Sequence, residues 1–363
     1  MDPVKTSIIQ IDATKPEKER VRLAADFIKQ GKLVVFPTET VYGIGANAFD
    51  GEACARIFEV KNRPSDNPLV VHVDSLESAM EIGEIPKEYA SALKKIWPCP
   101  ITVIVKAKKK FPKQVTAGLD TVAIRVPAHP VILSLIAESG TPIAAPSANP
   151  SQKPTATTGK QTIKYFFEKV DCIIDSGETF FGVESTIIDL ETFTIMRPGP
   201  FTPEEIEKAF GKRPNITEIT KGEQIASTAL SPGTKYLHYA PNTPLFLFKG
   251  GIGDLLDMLA ETESEEIAFI GSTESCKEVS GLGFSTIQLG SIGDPYEVAR
   301  NLYKGLILLD SFKVKCGIIE TFAEEGIGLA IMNRIRKASA HREFKDERQL
   351  RSAIASAERT AQY

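Results

Sequence analysis

Apolar and polar positions change period several times along the chain, and each change marks an element. In EKERVRLAADFIKQG (17–31) the apolar Val21, Ala24, Ala25 and Ile28 share the spacing of one helical face, and Gly31 follows as a stop. Short β-branched runs bounded by Pro, Gly or Asp predict strands: KLVVF (32–36), PLVVHV (68–73), PITVIVK (100–106), TVAIRVP (121–127), CIID (172–175), STIIDL (185–190) and TIMR (194–197). Helical patterns over about 51–61, 76–82, 86–96, 129–138, 157–168 and 203–210 fall between several of them. This irregular mixture predicts a mixed α/β sheet with helices packed on it, over residues 1–210.

Residues 211–243 carry little apolar periodicity and several Pro, Gly, Ser and Thr, and read as a long connection. Beyond it LFLF (245–248), EIAFIG (266–271), STIQLG (285–290) and CGIIET (316–321) alternate with helical patterns at about 252–262, 294–309 and 326–339. That alternation predicts a smaller, doubly wound α/β domain over 244–340. A charged tail, 341–363, is expected to be helical or frayed, and the chain contains no internal repeat.

Composition narrows the class without choosing the function. The 363 residues suit two domains, and 42% hydrophobic with 25% charged residues is the balance of a globular protein. A net charge of −4 lacks the basic footprint of a dedicated nucleic-acid binder. The chain has no apolar run approaching the roughly 18 residues of a membrane span and no signal-like start, so no membrane association and a cytoplasmic location are expected. Cys54, Cys99, Cys172, Cys276 and Cys316 are scattered without a C-x-x-C pair, which argues against a disulfide framework and a zinc site.

The residues with chemical potential gather at predicted strand ends. VKNRPSDNPLVVHV (60–73) places Lys61 near the end of a helical pattern and Arg63 before Pro64, where the chain is pushed toward an extended form. Read alone, both cations equally complement a helix C-terminus, and a lone strand histidine such as His72 is commonly structural. FPTETVYGIG (36–45) adds Thr38, Thr40 and Tyr42 after a buried-type strand. APSANPSQKPTATTG (145–159) adds Ser147, Asn149, Ser151 and Thr155, while GVESTIIDL and RPGP add Ser185, Thr186 and Arg197. Any one such loop is a turn by itself; several hydroxyl loops with cations at strand ends describe a ligand site of an α/β sheet.

In this order, FPTETVYGIGANA, VKNRPSDNPLVVHV, TVAIRVPAHP, PIAAPSANPS, GVESTIIDL and MRPG resemble the YrdC-type threonylcarbamoyl-adenylate synthases. SPGTKYLHYAP and GIGLAIMNRIRKAS extend the resemblance to the two-domain form of that family. The resemblance implies a twisted sheet with a concave, positively charged cavity. It implies a reaction in which L-threonine and bicarbonate form a carbamate that attacks the α-phosphate of ATP, with Mg²⁺ carried mainly by ATP. The product, threonylcarbamoyl-AMP, would pass to the transferase machinery that modifies tRNA.

The same resemblance implies roles. Lys61 and Arg63 resemble phosphate ligands and charge stabilisers, and no dedicated nucleophile is implied, because the substrate's own carbamate attacks. Arg125 resembles the arginine that clamps the threonine carboxylate, with Thr38, His72, Ser185 and the main chain near Ala145 in the same pocket. Ser147, Asn149, Thr121, Thr155, Arg197 and Tyr236 resemble nucleotide contacts, Tyr236 from a connection that folds over the site. That connection departs from the family pattern SPG-Met-x-x-basic-His-Tyr: Thr234 and Leu237 stand at the methionine and basic positions, which excludes a phosphate contact from Leu237.

Two other readings use the same fold. A binding module for double-stranded RNA or tRNA would rely on KAKKKFPK (106–113), although such charge runs are usually solvated faces, and any tRNA binding is expected to be weak. A carbamoyltransferase of hydrogenase maturation would carry C-x-x-C zinc fingers and an acylphosphatase-like segment, and neither pattern occurs here.

Overall fold

The computed structural model describes residues 3–224, 238–262, 264–346 and 348–352. The chain divides into two compact units. The first runs to Ser151 and from Thr155 to Thr220; the second takes Gln152–Pro154, Lys221–Gln224 and the described residues from 238 onward.

The first unit is built on ten strands: β1 Ser7–Gln10, β2 Val34–Phe36, β3 Gly43–Asn47, β4 Val70–His72, β5 Ile101–Lys106, β6 Thr121–Arg125, β7 Ile143–Ala145, β8 Cys172–Asp175, β9 Thr186–Asp189 and β10 Thr194–Arg197. Their order, β1-β8-β2-β3-β7-β4-β6-β5-β9-β10, mixes parallel and antiparallel neighbours. Successive strand residues point to opposite faces. Val71, Val103, Ile124 and Ile188 enter the large core that includes residues of helices 51–61 and 87–96. Each such fully buried aliphatic side chain contributes about 1.5–3 kcal/mol. On the other face β4, β5, β6 and β9 carry a small apolar cluster, Val70, Ile104, Ala123 and Ile187, while Val34, Phe36, Ile143, Ala145, Cys172 and Ile174 of β2, β7 and β8 join a second core with helices 18–29 and 130–139. By the same alternation that face also receives His72, Thr102, Thr121 and Arg125.

Three strands, β1, β3 and β7, fall outside the β-branched runs of the sequence reading. β3, GIGAN, holds two glycines where strand formers are expected, because a Cβ at Gly45 would lie 2.7 Å from the Ile143 side chain and 2.9 Å from the Phe36 ring. β1 is short and half-exposed, and forms by parallel pairing with β8. The connection expected from 211 begins ten residues later. Main-chain bonds join Asn215 to Phe193 and Ile195, and Thr220 Oγ1 donates to Ile195 O at 2.5 Å, so residues 211–220 stay with the first unit.

In the second unit β11 Leu245–Phe248, β12 Ile267–Ser272, β13 Ser285–Gly290, β14 Cys316–Ile319 and β15 Glu343–Phe344 form a wholly parallel sheet in the order β13-β12-β14-β11-β15. A helix over Thr273–Ser280, absent from the periodicity reading, follows β12 and is capped by Ser272. The segment expected as a charged tail is only partly that. Its residues 343–344 add the edge strand β15, and Phe344 and Leu350 are buried in the unit's core, with Phe344 5.2 Å from the Phe248 ring. Phe344→Ala is therefore expected to cost about 3–5 kcal/mol in denaturant unfolding of the second unit, against less than about 0.5 kcal/mol for the exposed Arg348→Ala.

Candidate active site

Helix 51–61 starts at Asp50, whose carboxylate accepts from the Glu52 and Ala53 amides, and stops at Asn62, which takes a left-handed conformation (φ 50°). Lys61, in the last turn, is 2% exposed. Its ammonium does not return to its own helix. It donates to Ser147 O at 2.6 Å, to Asn149 O, and at 3.4 Å to Asn149 Oδ1, which also accepts from Ser147 Oγ at 2.6 Å. The Ser151 amide closes the circuit on Lys61 O. Burial, and then the charge of Arg63, push the Lys61 pKa well below its ordinary value, while Glu184 opposes the shift. Arg63 is turned along its own loop, donating to Asn67 O and Pro68 O.

A second group forms where β2, β4 and β6 end. Thr38 Oγ1 accepts from the Thr40 and Val41 amides and lies 2.8 Å from Thr40 Oγ1, making a tight hydroxyl turn. Arg125, 4% exposed, donates through Nη1 to Thr40 Oγ1 at 3.0 Å. Its Nη2 lies 2.6 Å from Glu39 Oε1 as an ion pair without hydrogen-bond alignment, so Nε and Nη2 have no hydrogen-bond partner. His72 pairs in register with Arg125 and with Ile143, and its Nδ1 lies 3.3 Å from Ile143 O. Burial, with Arg125 second, pushes the His72 pKa down to about 3. His129, which caps helix 130–139 through Nδ1, is pushed down to about 4, again chiefly by burial.

The third group braces the entrance to β9. Arg197 donates through Nε and Nη2 to Ser185 O at 3.1 and 3.0 Å and through Nη2 to Ser185 Oγ at 3.2 Å. Ser185 Oγ is 2.8 Å from Thr102 Oγ1. Thr155 Oγ1 donates to the buried Glu184 at 2.8 Å. Gly199 lets the chain after Arg197 lie against this strand entrance, for a Cβ there would stand 2.3 Å from the Thr186 amide and 2.5 Å from Glu184 O.

Residues 26–199 match the Sua5/YciO/YrdC family model, described as telomere recombination, and residues 201–340 match the model described as threonylcarbamoyl-AMP synthase, C-terminal domain. A threonylcarbamoyl-AMP synthase of Pyrococcus abyssi is 44% identical over 340 residues, 91% of this chain and 96% of that protein. One from Bacillus subtilis is 37% identical over 346 residues, covering 91% and 96%. The chain belongs to the threonylcarbamoyl-AMP synthase family. A crystal structure of P. abyssi Sua5 complexed with L-threonine, a fellow member, matches with a TM-score of 0.86 at 42% identity, covering 93% of this chain and 99% of that one.

In this member of the family the fold brings the expected residues together in groups. Lys61 meets Ser147 and Asn149; Thr38 lies in the turn that meets Arg125, and His72 lies beside Arg125; Arg197 meets Ser185. Ala145 ends β7 opposite Val70. Thr121 stands at the far end of β6 from Arg125, roughly 13 Å along the strand, and lines a cavity of about 290 Å³ with Ile104, Lys106 and Asp189. Tyr236, with Ser231, Pro232, Gly233, Thr234 and Leu237, lies outside the described residues. Tyr239, which follows them, packs within the second unit 5.1 Å from the Tyr303 ring. Lys108, Lys109 and Lys110 of the basic run are exposed. Glu39 and Glu184 were missed by sequence reasoning: both are single acids inside quoted motifs, and only their burial beside a cation sets them apart.

Two outcomes follow from these contacts. Gly199→Ala must displace the main chain at Ser185, and is expected to destabilise the first unit by about 1–3 kcal/mol in denaturant unfolding. Unfolded histidines titrate near 6.5, whereas folded His72 and His129 titrate at about 3 and about 4. The unfolded chain therefore binds more protons below pH 6.5, and stability falls as pH drops from there toward the folded values. The slope is expected to reach about 1.4 kcal/mol per pH unit for each histidine. His72→Asn should flatten the measured loss between pH 6.5 and 5.

Proposed function

We propose that the first unit is an adenylate-forming nucleotidyltransferase that makes L-threonylcarbamoyl-AMP and pyrophosphate from L-threonine, bicarbonate and ATP. The observation that carries this reading is Arg125: a guanidinium buried at a strand end, with Nε and Nη2 left without hydrogen-bond partners among hydroxyls. Such a fork fits the two oxygens of a carboxylate, and the ion pair with Glu39, which is not aligned as a hydrogen bond, leaves those donors unsatisfied. Thr38, His72, Ser185 and the main chain at Ala145 would complete the threonine pocket.

The triphosphate would lie along the Lys61 side of the site. A phosphate oxygen reaching Lys61 would replace one of its present acceptors, the longest being Asn149 Oδ1 at 3.4 Å. The anion would also offset the burial that disfavours the ammonium. Arg63 would add charge, and Ser147, Asn149, Thr155 and Arg197 would hold the nucleotide directly or through the loops they brace. Thr121 and Tyr236 would serve as further nucleotide contacts. Catalysis then consists of holding the carbamate in line with the α-phosphorus and neutralising developing charge. No cluster of three or more His, Cys, Asp or Glu side chains suited to a metal occurs among the described residues, and Mg²⁺ would arrive on ATP, which supplies most of its ligands. The product would pass to the tRNA-modifying transferase, in the cytoplasm; among the described residues no helix is long and apolar enough to cross a membrane.

The test is incubation of the full chain with ATP, threonine and bicarbonate, with mass detection of the adenylate. Arg125→Lys keeps the charge and loses the fork, and is expected to raise the threonine KM at least about tenfold while the ATP KM moves less than about threefold. No adenylate from the intact chain, or an equal loss of both substrates in the variant, contradicts the assignment.

A further inference from the structure

The pocket holds a buried carboxylate that none of the roles above uses. Glu39 is 5% exposed, and neither carboxylate oxygen has a hydrogen-bond partner. Its place is set from both sides. The Phe181 amide donates to Glu39 O at 2.9 Å, the Gly182 amide to Thr40 O at 3.0 Å, and the Thr38 hydroxyl turn holds the flanking residues. A carboxylate kept dry with acceptor capacity to spare is costly unless something cationic completes it. Arg125, 2.6 Å away but misaligned, does so only in part.

We propose that Glu39 binds the α-ammonium group of the amino-acid substrate and accepts its proton, making the amine nucleophilic within the pocket. This rests on the reading of the site as one where an amino acid becomes a carbamate. An amino-acid zwitterion carries its two charges on adjacent groups, and the neighbouring Arg125 and Glu39 present the opposite pair. A carboxylate on the Arg125 fork therefore brings the ammonium to the Glu39 side.

The chemistry requires a base there. An ammonium has no lone pair, so its proton must leave before nitrogen can attack carbon. In the step proposed, R–NH₃⁺ and the Glu39 carboxylate give R–NH₂ and the Glu39 carboxylic acid. The amine and bicarbonate then give R–NH–COO⁻ and water: the N–C bond forms, a C–O bond of bicarbonate breaks, and Glu39 afterwards returns its proton to solvent.

The neighbouring ionisable groups leave this task to Glu39. Besides Arg125, His129 and Cys99 lie close enough to feel its charge. His129 is pushed down to about 4 and its Nδ1 already accepts from the Val131 amide; Cys99 is pushed up to about 12 by burial. His72, across from Arg125, is pushed down to about 3. Between pH 6.5 and 9 none of the three changes charge, so a pH dependence uncovered by altering Glu39 reports the substrate amine.

The experiment compares wild type, Glu39→Gln and Glu39→Asp in threonine-dependent adenylate formation from pH 6.5 to 9 at fixed bicarbonate. Glu39→Gln keeps the shape and is expected to lose at least about 30-fold in kcat/KM for threonine at pH 7. Its rate should then climb by up to about tenfold per pH unit, tracking the free-amine fraction, while the wild-type rate changes far less; Glu39→Asp should recover part of the loss. Pyrophosphorolysis of supplied adenylate, which needs no amine deprotonation, should fall less than about threefold in Glu39→Gln and shows that the variant is folded. Equal loss in both directions at every pH, or no loss in either, overturns the proposal. Absence of adenylate from the wild type would overturn the parent reading instead.

Discussion

The buried guanidinium of Arg125 is the constraint around which the first unit's site is arranged. Taking such a charge out of water costs several kcal/mol unless anions and acceptors surround it. The chain meets that demand with groups from separate segments: Thr40 and Glu39 from the β2–β3 connection, beside His72 on the neighbouring strand. The hydroxyl turn at Thr38 sets Thr40 in place, and the amides of Phe181 and Gly182 fix the turn in position. Each contact that lowers the cost of burial also orients a polar group toward the same spot. Stability and site geometry are thus one problem with one solution.

The same physics recurs twice on the first sheet. Lys61 is held by oxygens of Ser147 and Asn149, and Arg197 by those of Ser185. In both cases a cation from one segment ties down the loop or strand entrance of another, and the hydroxyls there acquire fixed positions. Preorganised polar groups in a dry site lose little reorganisation energy when charge develops on a substrate. Aliphatic cores on both sides of the sheet make this possible, because they supply the folding free energy that the polar groups at the strand ends cannot.

How much of this was legible in the sequence differs by element. β4, β6 and β9 announce themselves by β-branched alternation, and helix 51–61 by its spacing and caps. β3 does not, because its glycines exist to admit Phe36 and Ile143, a packing relation invisible in GIGAN alone. β15 hides inside a charged segment because two residues suffice when a parallel neighbour supplies the pairing. At the site the basic and hydroxyl residues stood out through their motifs, whereas Glu39 and Glu184 looked like ordinary surface acids.

By itself the sequence determined the two α/β halves, the order of the motifs, the family they resemble and the residue types available for binding an amino acid and a nucleotide. These follow from local periodicity and from the chemistry each side chain carries wherever it stands. Only the tertiary structure decided that Lys61 serves Ser147 and Asn149 and not its own helix end, that Arg197 braces Ser185, and that Glu39 faces Arg125. Partnership between residues 86 positions apart, as with Glu39 and Arg125, depends on the strand order of the sheet and on burial, and neither is encoded in any short stretch of chain.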